Sequence, residues 1–225
     1  MRGPQSGAQE APGLRAAAAD LVLGATCPVC ERASRSVCAS CAPLIAPEPV
    51  VVRQQPVRIV AAGEHRDALR LTVVAWKEQP RLALTPMLAH LVAASTCELV
   101  GPSRPVALVP VPASRRSRRA RGADVVDRLA VGSASLLRRL GLDVRVCRAL
   151  RMRHQTRDQS GLGARERAAN LAGAFRAVPA RGLLGREVVI VDDVVTTGAT
   201  VHEAARALRV AGVAVLGAAA VSARS

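Results

Sequence analysis

The sequence predicts an α/β fold, a parallel sheet with helices on both faces, preceded by a small cysteine-rich module. Three observations predict it. From Val57 onwards, short Val-rich runs alternate with longer stretches of helical composition, the pattern of repeated βαβ units. Two CxxC pairs stand close together before that alternation begins. The apolar run Val188-Val189-Ile190-Val191 reads as a buried strand, and it delivers Asp192 and Asp193 into a hydroxyl-rich loop that opens a helix.

Taken in order, residues 1–14 are rich in Gly, Pro, Gln and Ala and read as a loose tail, with a short helix from Arg15 to Gly24. Residues 25–45 hold Cys27-Pro28-Val29-Cys30 and Cys38-Ala39-Ser40-Cys41. Each pair can form a knuckle whose thiolates converge on one tetrahedral ion. Zn²⁺ is the expected metal, and four thiolates leave it no open position, so it would be structural. Two other readings exist. Disulfide pairing is opposed by a reducing cytosol, and redox chemistry would not need two matched pairs. Cys97 and Cys147 stand far from the cluster and read as small apolar residues.

Ala42 to Pro56 carries four prolines and reads as a linker. The main domain then occupies residues 57–225, with strands expected near 57–62, 106–111, 143–149, 187–192 and 213–220. Helices are expected near 64–77, 82–97, 123–140 and 200–211. Within the third of these, Val126, Leu129, Leu136, Leu137 and Leu140 approximate one apolar face.

A chain of 225 residues can bury one good core and a small appendage. Half the residues are apolar, but there is one Trp, one Phe and no Tyr, so Ala, Val and Leu must build that core. The same shortage argues against a protein that reads nucleic acid by stacking bases. The formal charge is +15, and the cations are 31 Arg and one Lys. That near-exclusive use of Arg fits GC-rich coding, and the charge suits a polyphosphate ligand as well as it suits DNA. The sole Lys, Lys77, reads either as a deliberate compact point charge or as chance at a solvated helix end. No apolar run approaches the 18 residues of a membrane span, and Asp20 interrupts the stretch from Ala16 to Thr26. A cytoplasmic protein without membrane insertion is therefore expected.

The chemistry concentrates after Val191. A loop of Thr196, Thr197, Gly198, Ala199 and Thr200 opening a helix presents backbone N–H groups and hydroxyls to an anion, and Gly198 permits close approach. Acidic residues directly before an anion cradle make sense if the ligand also carries hydroxyls or Mg²⁺, which Asp192 and Asp193 can hold. Upstream, Val109-Pro110-Val111-Pro112 precedes five Arg between Arg115 and Arg121. These form either a pyrophosphate-facing surface at the end of a proline-stiffened strand or a solvated basic run.

The stretch from Val188 to Thr200, Val194 and Val195 included, resembles the PRPP-binding motif of type I phosphoribosyltransferases. Together with the cysteine cluster, Val109 to Pro112 with Arg121-Gly122, and the stretch from Gln159 to Asn170, it resembles the ComF family of that superfamily, linked to DNA uptake in competent bacteria. The resemblance covers roughly residues 20–225. It implies a zinc ribbon and a type I phosphoribosyltransferase-like domain that moves a pentosyl group from PRPP, with Mg²⁺, to an acceptor it does not identify. Asp192 and Asp193 would hold the ribose, and the loop its 5′-phosphate. Arg115, Arg121 and Gly122 would form the pyrophosphate loop, with Lys77 near the start of the domain. Gln159, Leu162, Arg167 and Asn170 would belong to a loop that closes over PRPP and excludes water. Where relatives carry an aromatic residue and Asn, this chain has Ala123 and Asp124. His154, in the closing loop, reads as a surface residue. Single-stranded DNA and competence proteins are the implied partners. The alternative function is a non-catalytic PRPP sensor or DNA-binding accessory of the competence machinery.

Overall fold

A computed structural model describes residues 25–78, 81–101, 104–113, 124–153 and 171–224. Within them the chain forms β1 (Val50–Arg53), β2 (Ile59–Ala61), α1 (Asp67–Glu78), α2 (Thr85–Cys97), β3 (Val106–Pro110) and α3 (Val125–Arg139). There follow β4 (Val144–Val146), β5 (Leu150–Met152), β6 (Phe175–Ala177), β7 (Glu187–Val195), α4 (Ala199–Val210) and β8 (Val215–Ala223). Six strands make one sheet in the order β1-β2-β8-β7-β3-β4. Every neighbouring pair is parallel except β1 with β2. The carboxyl ends of β2, β8, β7 and β3 therefore share one edge, where open α/β sheets bind ligands.

The shortage of aromatics is met by small residues packed closely. Strand β8 reads Val-Leu-Gly-Ala-Ala-Ala-Val-Ser-Ala, and its Ala218, Ala219 and Ala220 are fully buried. Alanine suits a strand poorly, but here it lets α2 approach until Ser95 Oγ donates to the Ala220 carbonyl at 2.9 Å. Helix α2 meets α3 just as closely: Ser133 Oγ donates to Ala89 O at 2.8 Å, and a Cβ on Gly132 would stand 2.7 Å from that of Ala89. The buried face of α3 is Val126, Leu129, Ala130, Ser133, Ala134 and Leu137. Leu140, expected on that face, is 70 % exposed because the helix ends at Arg139 and the chain turns at Gly141.

Two parts depart from the sequence reading. The proline-rich stretch is not simply a linker: Val50 to Arg53 pair antiparallel with β2 and form the sheet edge. Prolines flank this strand without entering it, as an edge strand allows. The strand expected over 143–149 is shorter, and the chain after it forms β5, which pairs with β6 as a separate antiparallel ribbon. Three residues a strand is too little for a period-two signal.

The cysteine module docks on the domain. Cys27, Val37, Cys41 and Ile45 are buried in the same cluster as Trp76, Leu84 and Leu88. Arg81 Nη1 donates to the Thr26 carbonyl at 2.7 Å and fastens the two parts together. No helix among the described residues is long and apolar enough to cross a membrane.

Candidate functional site

Strand β7 runs through the middle of the sheet and carries Asp192 and Asp193 to its carboxyl end, each 9 % exposed. The strand continues past them: Val194 pairs with Ser222 and Val195 with Ala223. Val194 and Val195 are thus strand residues, with Val195 in the core, and the loop proper begins at Thr196. Asp193 continues the row of Val189 and Val191 and Asp192 that of Val188 and Ile190, and both stand at the ligand-binding edge of the sheet.

Asp193 is held by Lys77, whose Nζ lies 2.7 Å from its Oδ1 near the end of α1. The same oxygen accepts the Val194 N–H at 2.6 Å, while Asp192 Oδ1 accepts the Asp193 N–H at 2.9 Å. Burial pushes the Asp192 carboxyl up to about 7, and the Asp193 charge adds to the shift against the pull of Lys77 and the Asp193 N–H. A carboxylate so poorly compensated favours a ligand that brings hydroxyl donors or positive charge.

The anion cradle follows. Gly198 caps α4 with φ +77°, and no side chain caps the helix start. The N-cap residue itself therefore closes off none of the first-turn N–H groups with a side chain. Thr197 Oγ1 accepts the Ala199 N–H at 3.4 Å, and Thr200 lies in the first turn. A Cβ on Gly198 would meet Ile59 Cδ1 at 3.2 Å and His202 Cε1 at 3.3 Å. Gly198→Ala is therefore expected to lower stability by about 1–2 kcal/mol. Comparing urea midpoints with those of the parent checks this; an unchanged midpoint would show that the left-handed turn is not required.

Two features of this edge go beyond the sequence reading. His65, just after β2, donates its backbone N–H to Ala223 O at 2.6 Å and places Nδ1 2.8 Å from Ser222 Oγ. Burial, then the charges of Arg224, Lys77 and Arg70, bring its ring down to about 4, with Asp193 opposing. An isolated His after a short strand gives no pattern to find. Asp124 is the second. It caps α3 by accepting the Asp127 N–H at 3.3 Å, and its other oxygen accepts the Ala113 N–H at 3.2 Å. An Asp here ties Ala113 to the start of α3, which gives the departure from the family pattern a structural reason. Beside it lies a cavity of about 490 Å³ whose lining includes Pro112, Asp124, Arg148, Met152 and Arg176, with Arg148 paired to Asp127 through two bonds of 2.6 and 2.9 Å.

Arg115, Arg121, Gly122, Gln159, Leu162, Arg167 and Asn170 lie outside the described residues, as do His154 and Ala123.

The Sγ atoms of Cys27, Cys30, Cys38 and Cys41 lie within 4.8 Å of one another, and those of Cys30 and Cys38 are 3.6 Å apart. A tetrahedral ion with Zn–S bonds of about 2.3 Å would separate its sulfurs by about 3.8 Å, so the cluster fits Zn²⁺. Knuckle turns shape both halves: Glu31 N–H donates to Cys27 O at 2.9 Å and Ala42 N–H to Cys38 O at 2.9 Å. Burial raises the Cys27 thiol, but hydrogen bonds from Cys38, Cys30 and Val29 outweigh it and bring the group to about 6, whereas burial and the neighbouring sulfurs push Cys41 up to about 12, so four thiolates at this site need a cation to hold them together. Cys147 is buried, as a small apolar residue should be, whereas Cys97 is exposed at the end of α2.

Residues 130–225 match the model of the phosphoribosyl transferase domain. The chain is also similar to competence protein F of Haemophilus influenzae, 32 % identical over 171 residues that cover 72 % of each protein.

Proposed function

The chain belongs to the ComF family of phosphoribosyltransferase-like proteins, and on that premise we propose that it binds PRPP with Mg²⁺ at the carboxyl edge of its sheet and transfers the phosphoribosyl group. The carrying observation is the buried acidic pair at the end of β7, followed directly by a helix start with a left-handed glycine cap. Asp192 and Asp193 accept from the ribose hydroxyls, and Thr196 to Thr200 hold the 5′-phosphate. Hard carboxylate oxygens, one on a buried acid that Lys77 and the Asp193 N–H compensate only in part, also suit Mg²⁺. That ion, bound with PRPP, would neutralise charge on the phosphate oxygens.

In the transfer, the C1–oxygen bond to pyrophosphate breaks as a bond from C1 to the acceptor nitrogen forms. Pyrophosphate leaves with the bonding electrons, and the acceptor loses a proton. The sugar carries positive charge at the transition state, which the Asp pair offsets, while Arg115, Arg121 and the Gly122 backbone receive the pyrophosphate. The loop carrying Gln159, Arg167 and Asn170 closes over the ligand and keeps water from C1. Incubation with PRPP, Mg²⁺ and a panel of nucleobases and amines, with pyrophosphate release as readout, tests turnover. Tight PRPP binding without release favours the second reading, a PRPP-sensing or DNA-handling accessory of competence. The +15 charge and the competence relative support that alternative.

Arg121→Ala separates the two roles of the basic run. If the run serves pyrophosphate, PRPP affinity measured by calorimetry falls by roughly 1.5–3 kcal/mol. If it serves single-stranded DNA, PRPP affinity is unchanged, and the salt slope of DNA binding drops by about one phosphate contact.

A further inference from the structure

Resting on the PRPP reading, we propose that His65 is a further ligand-contacting residue of the site, with its Nε2 hydrogen-bonding a ribose hydroxyl beside Asp193. The placement carries this inference. His65 follows β2 at the same sheet edge as the acidic pair, and two bonds hold it there: its N–H to Ala223 O at 2.6 Å and its Nδ1 to Ser222 Oγ at 2.8 Å. Ser222 is fully buried and pairs in register with Val194, the residue after Asp193. The ring is thus tied to the strand position next to the carboxylate that Lys77 holds at 2.7 Å.

With Nδ1 engaged, Nε2 has no hydrogen-bond partner among the described residues. Burial, and then the charges of Arg224, Lys77 and Arg70 over that of Asp193, disfavour a charge on the ring. A ring in that setting stays neutral and adds no charge to a site that already offers cations to phosphate. It can donate to or accept from a hydroxyl, which suits a sugar rather than a pyrophosphate. His65 therefore orients the ribose and does not serve as a strong base.

The test uses the full chain and three probes, Mg²⁺-PRPP, ribose 5-phosphate and Mg²⁺-pyrophosphate, each titrated by calorimetry. His65→Ala should weaken PRPP and ribose 5-phosphate alike, about tenfold, and leave pyrophosphate unchanged. His65→Asn keeps an amide where Nδ1 meets Ser222 but has nothing at Nε2, so it should lose the same affinity with the ligand-free melting temperature of the parent. Ser222→Ala, which releases the ring, should give a smaller loss on the same two ligands. Unchanged ribose 5-phosphate binding in His65→Asn would overturn the inference, as would an equal loss of pyrophosphate binding, which marks a merely structural role. Failure of the parent to bind PRPP or ribose 5-phosphate is a different result: it rejects the PRPP reading, and this inference with it.

Discussion

Asp192→Asn with Asp193→Asn is expected to abolish the stabilisation of the fold by Mg²⁺-PRPP without weakening the ligand-free protein. At a ligand concentration about a hundredfold above the dissociation constant, the parent gains about 2.7 kcal/mol, or roughly 5–10 °C in melting temperature for a chain this size. The double variant keeps the shape and polarity of the strand end but loses both charges that would hold the ribose and the metal. Ligand-free stability is expected to hold because two changes oppose each other. Lys77 loses its partner, but it is partly exposed and can turn to water. Asp192 loses a buried charge whose cost is on the order of a few kcal/mol.

The sign with pH follows from the raised carboxyl. Asp192 binds its proton below about 7 in the folded chain and only near 3.8 in the unfolded one. Between these values the folded state holds more protons, so parent stability falls as pH rises through the window. The variant, with nothing to ionise at 192, should fall slightly below the parent near pH 4, where only the Lys77 pair is lost, and equal or exceed it at pH 8. Thermal scans with and without ligand at both pH values decide the matter. Equal ligand shifts in variant and parent would remove the acidic pair from the site.

Long, uniform elements were the legible ones. Strand β7 and helix α4 announced themselves as a Val/Ile run followed by Thr and Gly, and β8 as a Val-rich start to a small-residue strand. Strand β1 was hidden because the prolines around it suggest irregular chain, and β5 and β6 because three residues have no period. For Lys77 the sequence left two readings open. The 2.7 Å contact with Asp193 places it on the acidic pair, against the reading of a solvated helix end. His65 could not be found from sequence, since its position depends on the β2–β8 register rather than on neighbours in the chain. Asp124 could be seen only as a departure from a pattern, and its two backbone bonds supply the reason.

Removing the metal from the cysteine cluster is expected to have a comparably large effect, reaching beyond the module. The purified protein should carry about one Zn²⁺ per chain, because four convergent thiols at finger-like spacing bind that ion by several kcal/mol or more. Cys30 is the exposed ligand, so Cys30→Ser removes a metal bond without opening a core cavity. Without the metal, nothing covalent holds Cys27 and Cys41 together, yet both are buried with Val37 and Ile45 against Trp76. Trp76 precedes Lys77, and Arg81 ties the next segment to Thr26, so loosening the module should release α1 and the Lys77–Asp193 contact. The cluster on the α4 face contains no residue of the module, and the sheet should stay folded. Hydrogen exchange should then show faster exchange over 67–78 in Cys30→Ser and unchanged protection in β7, with the exposed Cys97→Ser as control. Protein prepared without chelator that contains no zinc would refute the metal assignment. Unaltered exchange in α1 would instead show that the module folds independently of the site.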